Sequence, residues 1–92
     1  MNEFERLKEF IGRVVVIDTD SELLYVGTLV SADGGLYELS DVDVHDSRTT
    51  STTRDLYIIN VAKLGVKKNR DRVRVRTARV VSFSVLEEIT RY

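Results

Sequence analysis

Cysteine, proline and tryptophan are absent from this chain of 92 residues, and histidine occurs once. Without cysteine the chain can form neither a disulfide nor a thiolate metal site, and it has no cysteine nucleophile. His45 is the only imidazole, so any Ser-His-Asp arrangement would have to be built around it. The sequence also has no glycine-rich phosphate loop and no paired-carboxylate signature. We therefore expect a protein that is not an enzyme and that carries no metal or cofactor.

Long hydrophobic runs are missing too. No apolar stretch approaches the roughly 18 residues of a membrane-spanning helix, and the acidic, amphipathic start of the chain does not fit a signal peptide. With 42% apolar and 32% charged residues, the composition is that of an ordinary folded protein. We expect one domain over residues 1–92, located in the cytoplasm. Its core would be modest, so self-association is a natural way to bury more surface.

The net charge of −1 conceals a strong asymmetry between the two halves of the chain. Residues 1–46 carry eleven acidic and three basic residues, for a net −8, whereas residues 47–92 carry four acidic and eleven basic residues, for +7. The basic side chains concentrate in one stretch: Lys63, Lys67, Lys68, Arg70, Arg72, Arg74, Arg76 and Arg79. A polyanion-binding site explains this pattern, and so does self-association of acidic against basic surfaces; composition alone favours neither.

Residue alternation and β-branched side chains predict five short strands, over residues 13–17, 23–32, 36–46, 72–77 and 79–86. The sequence Asp33-Gly34-Gly35 predicts a hairpin turn between the second and third of them. Gly27, inside the second strand, predicts a bend or a close backbone approach. Residues 47–53 are polar throughout and predict a mobile loop, and residues 67–71 predict a basic turn.

The end of the third predicted strand alternates cleanly between apolar and polar residues. Val42 and Val44 are predicted to point inward, and Asp41, Asp43 and His45 outward. Three such side chains on one face could bind a metal ion, but this alternation is far more typical of a solvated strand face. We therefore predict a solvated face here and no metal site.

Two segments of the chain carry helix signals. An N-terminal helix is predicted from the cap Asn2 to Gly12, with one apolar stripe formed by Phe4, Leu7, Phe10 and Ile11. Residues 55–64 are apolar on nearly every side, and their β-branched content favours a strand, whereas Thr53 as cap and Gly65 as stop favour a helix. We prefer the helix and keep the strand as the alternative. The fold predicted is mainly β: a five-stranded bent antiparallel barrel with an N-terminal helix and an apolar insertion between strands 3 and 4.

Two stretches of this chain resemble the motifs of the Sm-like (LSm and Hfq type) family of small β-barrels. The first motif is matched by Gly12-Arg13-x-Val15-x-Ile17 and by Tyr25-x-Gly27-x-Leu29-x-Ser31-x-Asp33-Gly34-x-Leu36-x-x-Leu39. The second is matched by Val75-Arg76-Thr77-Ala78-Arg79-Val80-Val81-Ser82-Phe83. The order of helix and strands is also similar to that of the family.

The resemblance implies a cyclic homo-oligomer that binds single-stranded RNA. Sm-like subunits pair the fourth strand of one copy with the fifth of the next, which would satisfy both open edges of the barrel. The family binds RNA at the inner rim of the ring, and there Asp33 matches its aspartate and Arg76 its arginine. The candidate RNA-binding residues are Asp33, Tyr37, Lys67, Lys68, Arg74 and Arg76.

Three positions depart from the family's RNA pocket. Gly35 stands where a stacking side chain is usual and offers no ring. Tyr37 stands where an asparagine reads the base, and a hydroxyl cannot reproduce the donor and acceptor of an amide, although the tyrosine ring could stack on a base. Thr77 replaces a glycine. These departures support an alternative function, an Sm-like oligomeric scaffold or protein-interaction module that has lost base-specific recognition.

Overall fold

The computed structural model describes residues 8–89, which form five strands and one α-helix. The elements are β1 (Val14–Thr19), β2 (Leu23–Asp33), β3 (Leu36–Asp46), α1 (Arg54–Leu64), β4 (Arg70–Arg76) and β5 (Val80–Val85). Short 3₁₀ turns lie at Lys8–Phe10, Thr77–Arg79 and Leu86–Glu88. The strands form one antiparallel sheet in the order β4-β3-β2-β1-β5.

The mainly β fold predicted from the sequence is confirmed, with small differences at the element ends. The third predicted strand matches β3, and the insertion is the helix α1 rather than a strand. The basic turn is shorter than predicted because β4 already begins at Arg70. The fifth strand is also shorter than predicted, because residues 77–79 turn the chain and β5 begins at Val80. Most of the predicted N-terminal helix lies outside the described residues, which show only the turn Lys8–Phe10.

Helix α1 begins and ends at the signals that the sequence carries. The Thr53 hydroxyl accepts a hydrogen bond from the Leu56 amide at 3.2 Å, which satisfies one of the free N–H groups of the first turn. At the other end Gly65 adopts a positive φ of 91°, and its N–H donates to the Val61 carbonyl at 2.8 Å. No helix within residues 8–89 is long and apolar enough to cross a membrane.

The sheet has a hydrophobic core on each of its faces. The barrel interior contains Val15, Ile17, Leu29, Ala32, Tyr37, Leu39, Val42 and Val75. The second core lies under α1 and contains Val16, Leu24, Val26 and Val61. Because β1 and β2 are covered on both faces, β1 is an almost continuous apolar run instead of an alternating one.

β2 and β3 approach each other closely at Gly27, where the pairing of the two strands is irregular. A Cβ atom placed on Gly27 would lie 3.0 Å from the Ser40 carbonyl oxygen and 3.0 Å from a methyl group of Val42. The register shifts here, so that Asp41 and Val42 together lie opposite Gly27. Asp41 takes a positive φ of 50°, which aspartate tolerates better than most residues. The close approach predicted from this glycine is confirmed.

We expect Gly27→Val to lower the free energy of unfolding by about 1–3 kcal/mol, because the added carbons must push β3 away from β2. Urea unfolding followed by circular dichroism measures the change. Ser31→Ala, in the same strand but half-exposed, is the control and is expected to change stability by less than about 0.5 kcal/mol. Equal unfolding midpoints for Gly27→Val and the wild type would contradict the close packing of the two strands.

The sheet stays open because β4 pairs only with β3 and β5 only with β1 among the described residues. The two edge strands are joined by the turn Thr77–Arg79, so the chain reverses without closing the barrel. The Asp20 amide donates to the Arg79 carbonyl at 3.0 Å, which fixes this turn against the loop between β1 and β2. Within residues 8–89 the chain therefore presents two unpaired strand edges, which in other proteins are covered or protected.

His45 lies on the face of β3 opposite the barrel interior, as predicted, because its register partner Leu24 belongs to the second core, but the prediction that this face is solvated is wrong at His45. Its side chain is buried, and its ring stacks on that of Tyr57 with centroids 4.1 Å apart and planes 20° from parallel. The Tyr57 hydroxyl donates to an Asp43 carboxylate oxygen at 2.6 Å. Helix α1 thus covers the face of β3 that the alternation assigned to solvent. Alternation shows which side chains share a face, but not that a later segment of the chain will pack over that face.

Candidate nucleic-acid interface

One end of the sheet brings together the β2–β3 turn and the turn after β4. Gly34 and Gly35 both take positive φ, at 58° and 78°, as a tight two-residue hairpin requires. The Gly35 carbonyl accepts two hydrogen bonds from Thr77, one from its amide at 2.9 Å and one from its hydroxyl at 3.2 Å. We call residues 33–35 together with residues 76 and 77 the rim. The two segments of the rim are held as one surface.

Asp33 and Arg76 both lie at this rim, on strands that flank β3. Leu36 is the register partner of Asp33 on one side and of Arg76 on the other. Two strand spacings separate their backbones, about 10 Å. The Asp33 carboxylate accepts from the Gly34 amide at 2.8 Å and so stabilises the turn. Arg76 is exposed, and within residues 8–89 no carboxylate forms an ion pair with it, so its guanidinium is open to a ligand.

The structure does not bring Tyr37 to the rim surface. Only 5% of Tyr37 is exposed, and its ring packs in the barrel interior with its centroid 6.1 Å from that of Phe83. Hydrophobic burial decides its position, because Tyr37 alternates with outward-facing residues of β3 and pairs with the buried Val75. Base stacking by Tyr37 stays a prediction, and its burial argues against it.

Arg74 lies along β4, one outward position before Arg76. Its Nε donates to an oxygen of Glu38 at 3.1 Å, and Arg72 donates to the other oxygen of the same carboxylate at 2.6 Å. One glutamate is therefore shared by two arginines on the exposed face of the sheet. Ion pairs in such exposed positions contribute little to stability, so a phosphate group can compete for these guanidinium groups.

Lys67 and Lys68 lie at the opposite end of β4 from the rim. Lys68 contacts Asp71 at 3.1 Å and Asp41 at 3.4 Å. The hydrogen bonds to these two carboxylates raise the pKa of its ammonium group, that to Asp71 having the larger effect. Lys67 is exposed, and within the described residues no carboxylate pairs with it. The predicted basic residues are thus spread along the whole length of β4.

A groove of about 270 Å³ lies next to β4, and the site predicted from the sequence included only two of its lining residues, Arg74 and Arg76. Its lining residues are Thr19, Ser21, Tyr25, Arg74, Val75, Arg76 and Arg79. Arg79 donates to Asp20 at 2.8 Å, which anchors its side chain at this end of the molecule. No local pattern in the sequence predicts the groove, because its walls come from two stretches of the chain, residues 19–25 and 74–79, that are far apart in sequence.

The only imidazole of the chain does not take part in this interface. His45 lies beneath α1, and its Nε2 atom is buried without a hydrogen-bond partner among the described residues. No cluster of three or more potential metal ligands occurs within residues 8–89. Apart from the carboxylates of Asp33 and Asp71, the exposed charged groups of the rim and of residues 67–76 are guanidinium and ammonium groups, which bind carboxylates and phosphates.

Comparison with solved structures places this architecture in the Sm-like fold. The chain is similar to the Sm protein of Pyrococcus abyssi solved with a uridine heptamer, with a TM-score of 0.62 and 14% identity over 92% of this chain and 99% of that one. It is similar to an Sm-like protein of Archaeoglobus fulgidus, with a TM-score of 0.61 and 13% identity over 92% and 95% of the two chains.

Two further structures show the same likeness. For a heptameric archaeal Sm protein the TM-score is 0.55, with 18% identity over 88% of this chain and 96% of that one. For a chain of the NatC complex bound to CoA it is 0.58, with 19% identity over 86% and 82%. No protein-family profile and no curated protein sequence matches the chain. At these identities the likeness establishes the fold, and the resemblance of the motifs to the Sm-like pattern is confirmed at that level.

Proposed function

We propose that this chain assembles head to tail into a ring and binds single-stranded RNA at the rim. Asp33 and Arg76 are the rim residues of the proposed site, Arg74 continues it along β4, and Lys67 and Lys68 extend it to the far end of the strand. The observation that carries the proposal is the pair of hydrogen bonds from Thr77 to the Gly35 carbonyl, which fixes both rim segments beside the open guanidinium of Arg76. We assign the chain no catalytic role.

Three further observations support the proposal. The unpaired edges of β4 and β5 can be satisfied together when each copy pairs with the next. The net charges of −8 and +7 in the two halves of the sequence favour head-to-tail contact. The similar Pyrococcus protein was solved with a uridine heptamer, and another similar archaeal protein is heptameric. A ring would place one Arg76 from each copy at a common radius and so strengthen the local positive field.

We expect Arg76→Ala to weaken RNA binding by about tenfold or more, because it removes a charged hydrogen-bond donor from every subunit. Fluorescence anisotropy with labelled oligo-U and oligo-A, and with a duplex as control, measures the affinity at low and moderate salt. The wild type is expected to bind a single strand more tightly than the duplex, with an affinity that falls as salt is added.

Arg48→Ala is the matched control for this experiment. Arg48 is also exposed and carries the same charge, but it pairs with Asp46 at the opposite end of β3 from the rim. It is expected to leave RNA affinity unchanged. Equal RNA affinity of Arg76→Ala and the wild type, with the oligomer intact, would remove Arg76 from the site.

A protein-interaction module without base recognition is the second candidate. The exposed leucines of α1 favour it, since Leu56 is 51% and Leu64 81% exposed. The side-chain-free Gly35 and the buried Tyr37 are also consistent with a rim that does not read bases. The similar chain in the NatC complex comes from a multiprotein assembly. An intact oligomer that binds no RNA even at low salt would select this function over the first.

A further inference from the structure

Four arginines alternate along β4 and are all exposed; we call them the arginine row: Arg70, Arg72, Arg74 and Arg76. Alternate residues of a strand lie on one face, so neighbouring members of the row are about 6.7 Å apart. Val73 and Val75 alternate with these arginines along the strand and point to the barrel interior. The row therefore spans the length of the strand, from the loop that carries Lys67 to the rim.

The arginine row is not neutralised by the strand beside it. Its register partners on β3 are Val42, Ser40, Glu38 and Leu36. Glu38 is the only acid among them, and it binds both Arg72 and Arg74. Arg76 has no carboxylate partner within residues 8–89, and Arg70 donates there only to the backbone carbonyl of Asn69, at 2.8 Å. Of the four guanidinium groups, two therefore share one carboxylate, and the other two have none within residues 8–89.

Three positions at the end of this row offer no free side-chain group that could recognise a base. Gly35 has no side chain, and the Tyr37 ring is inside the barrel. The Thr77 hydroxyl already donates to the Gly35 carbonyl. What the surface offers is a line of planar, charged hydrogen-bond donors, which suits phosphate oxygens. Contacts to phosphate fix the position of a nucleic acid but do not specify its sequence.

We propose that the arginine row binds the sugar-phosphate backbone of single-stranded RNA along β4, independently of the bases. Glu38 is the counter-charge of the row: it holds Arg72 and Arg74 when RNA is absent, and RNA phosphates must compete with it. The inference rests on the proposed function and adds to it that recognition is by backbone and that Arg70 and Arg72 belong to the site. The affinity of the row for RNA is then set by the number of charges and by the salt concentration.

The test compares a labelled oligo-U, an oligo-A and a ribose-phosphate oligomer of the same length without bases, by fluorescence anisotropy over a salt series. For the wild type we expect the three affinities to agree within about fivefold, and the logarithm of each affinity to fall linearly with the logarithm of the salt concentration. Backbone binding requires the strand without bases to bind.

Three variants test the row itself. Arg70→Gln is expected to weaken binding of all three strands equally, by about threefold to tenfold, and to reduce the salt slope by about one. Glu38→Gln is expected to strengthen binding about twofold to fivefold, because it removes the competing carboxylate. Arg48→Gln, which neutralises an arginine outside the row, is expected to have no effect. Sedimentation velocity on each variant records the oligomeric state.

The outcomes separate failure of this inference from failure of the proposed function. If oligo-U binds and the strand without bases does not, the bases are read, and the backbone inference falls while RNA binding stands. If Arg70→Gln changes the sedimenting mass but not the RNA affinity, the row is a surface for self-association, and the inference falls. A loss of affinity in Glu38→Gln would overturn its role as a competing counter-charge. If the wild type binds no strand at low salt, the proposed RNA function fails as well.

Discussion

Replacing Val81 with lysine is expected to dissociate the proposed oligomer into single chains that keep their fold. Val81 lies on the edge strand β5 and is 66% exposed. Proteins avoid an apolar β-branched side chain on an open sheet edge unless something covers it. In the proposed head-to-tail contact that cover is β4 of the next copy, which carries the arginine row. A lysine at position 81 would bring a positive charge close to the positively charged arginine row of the next copy. We expect this repulsion to weaken association by about a hundredfold or more.

Sedimentation velocity over a range of protein concentrations measures this effect. Val81→Thr, which keeps the branched shape without adding a charge, is the control and is expected to retain most of the assembly. Because Val81 is exposed in the protomer, the free energy of unfolding of the single chain should change by less than about 0.5 kcal/mol. An unchanged sedimenting mass for Val81→Lys would show that β5 is not the contact edge.

Replacing Tyr57 with alanine is expected to be the most destabilising single change in α1, at about 2–4 kcal/mol. The substitution removes the ring that stacks on His45 at 4.1 Å and the hydroxyl that donates to Asp43 at 2.6 Å. It also uncovers the core beneath the helix, where Val61 is buried. Small domains have only about 5–15 kcal/mol of stability in total, so the loss is a large fraction of it. Urea unfolding of Tyr57→Ala and the wild type measures this loss of unfolding free energy.

Tyr57→Phe separates the hydroxyl from the ring. We expect it to cost only about 1 kcal/mol, since it keeps the stacking and removes one hydrogen bond. Asp43 would retain its second partner, the Asn69 amide, which donates at 3.1 Å. If Tyr57→Ala were no more destabilising than Tyr57→Phe, the packing of the Tyr57 ring on His45 would contribute nothing to stability.

The wild type and Tyr57→Phe are also expected to differ in how their stability depends on pH. Burial, followed by the hydrogen bond to Asp43, raises the pKa of the Tyr57 hydroxyl above its ordinary value of 10.0. The unfolded chain releases this proton near pH 10 while the folded chain retains it, so the unfolded state binds fewer protons above that pH. The stability that the hydroxyl contributes is therefore complete below pH 10 and declines as the pH rises above 10. The stability difference between wild type and Tyr57→Phe should shrink over that range.

Local signals made most of the elements predictable from the sequence. Asp33-Gly34-Gly35 specified the β2–β3 turn, because that turn needs positive φ at two successive residues. Thr53 and Gly65 specified the two ends of α1 through a side-chain cap and a positive φ. Each of these devices involves residues a few positions apart, so it can be recognised without knowing the rest of the fold.

The candidate site was predictable only in part. Alternation placed Arg72, Arg74 and Arg76 on one face of a strand, and the structure confirms that arrangement. It could not assign Glu38 to Arg72 and Arg74, because that contact joins residues 34 and 36 positions apart. It also left open whether Tyr37 is exposed, since either face of β3 could have been the interior.

The sequence by itself determined the order of the strands and, to within about two residues, where the elements begin and end, because turns, caps and residue alternation depend on neighbours in the chain. Only the tertiary structure decided which faces are covered. Helix α1 folds over β3 and buries His45, the Tyr37 side of β3 becomes the barrel interior, and the rim forms when Thr77 reaches the Gly35 carbonyl. These contacts join residues far apart in the chain, and burial of apolar surface as the sheet bends is what selects them.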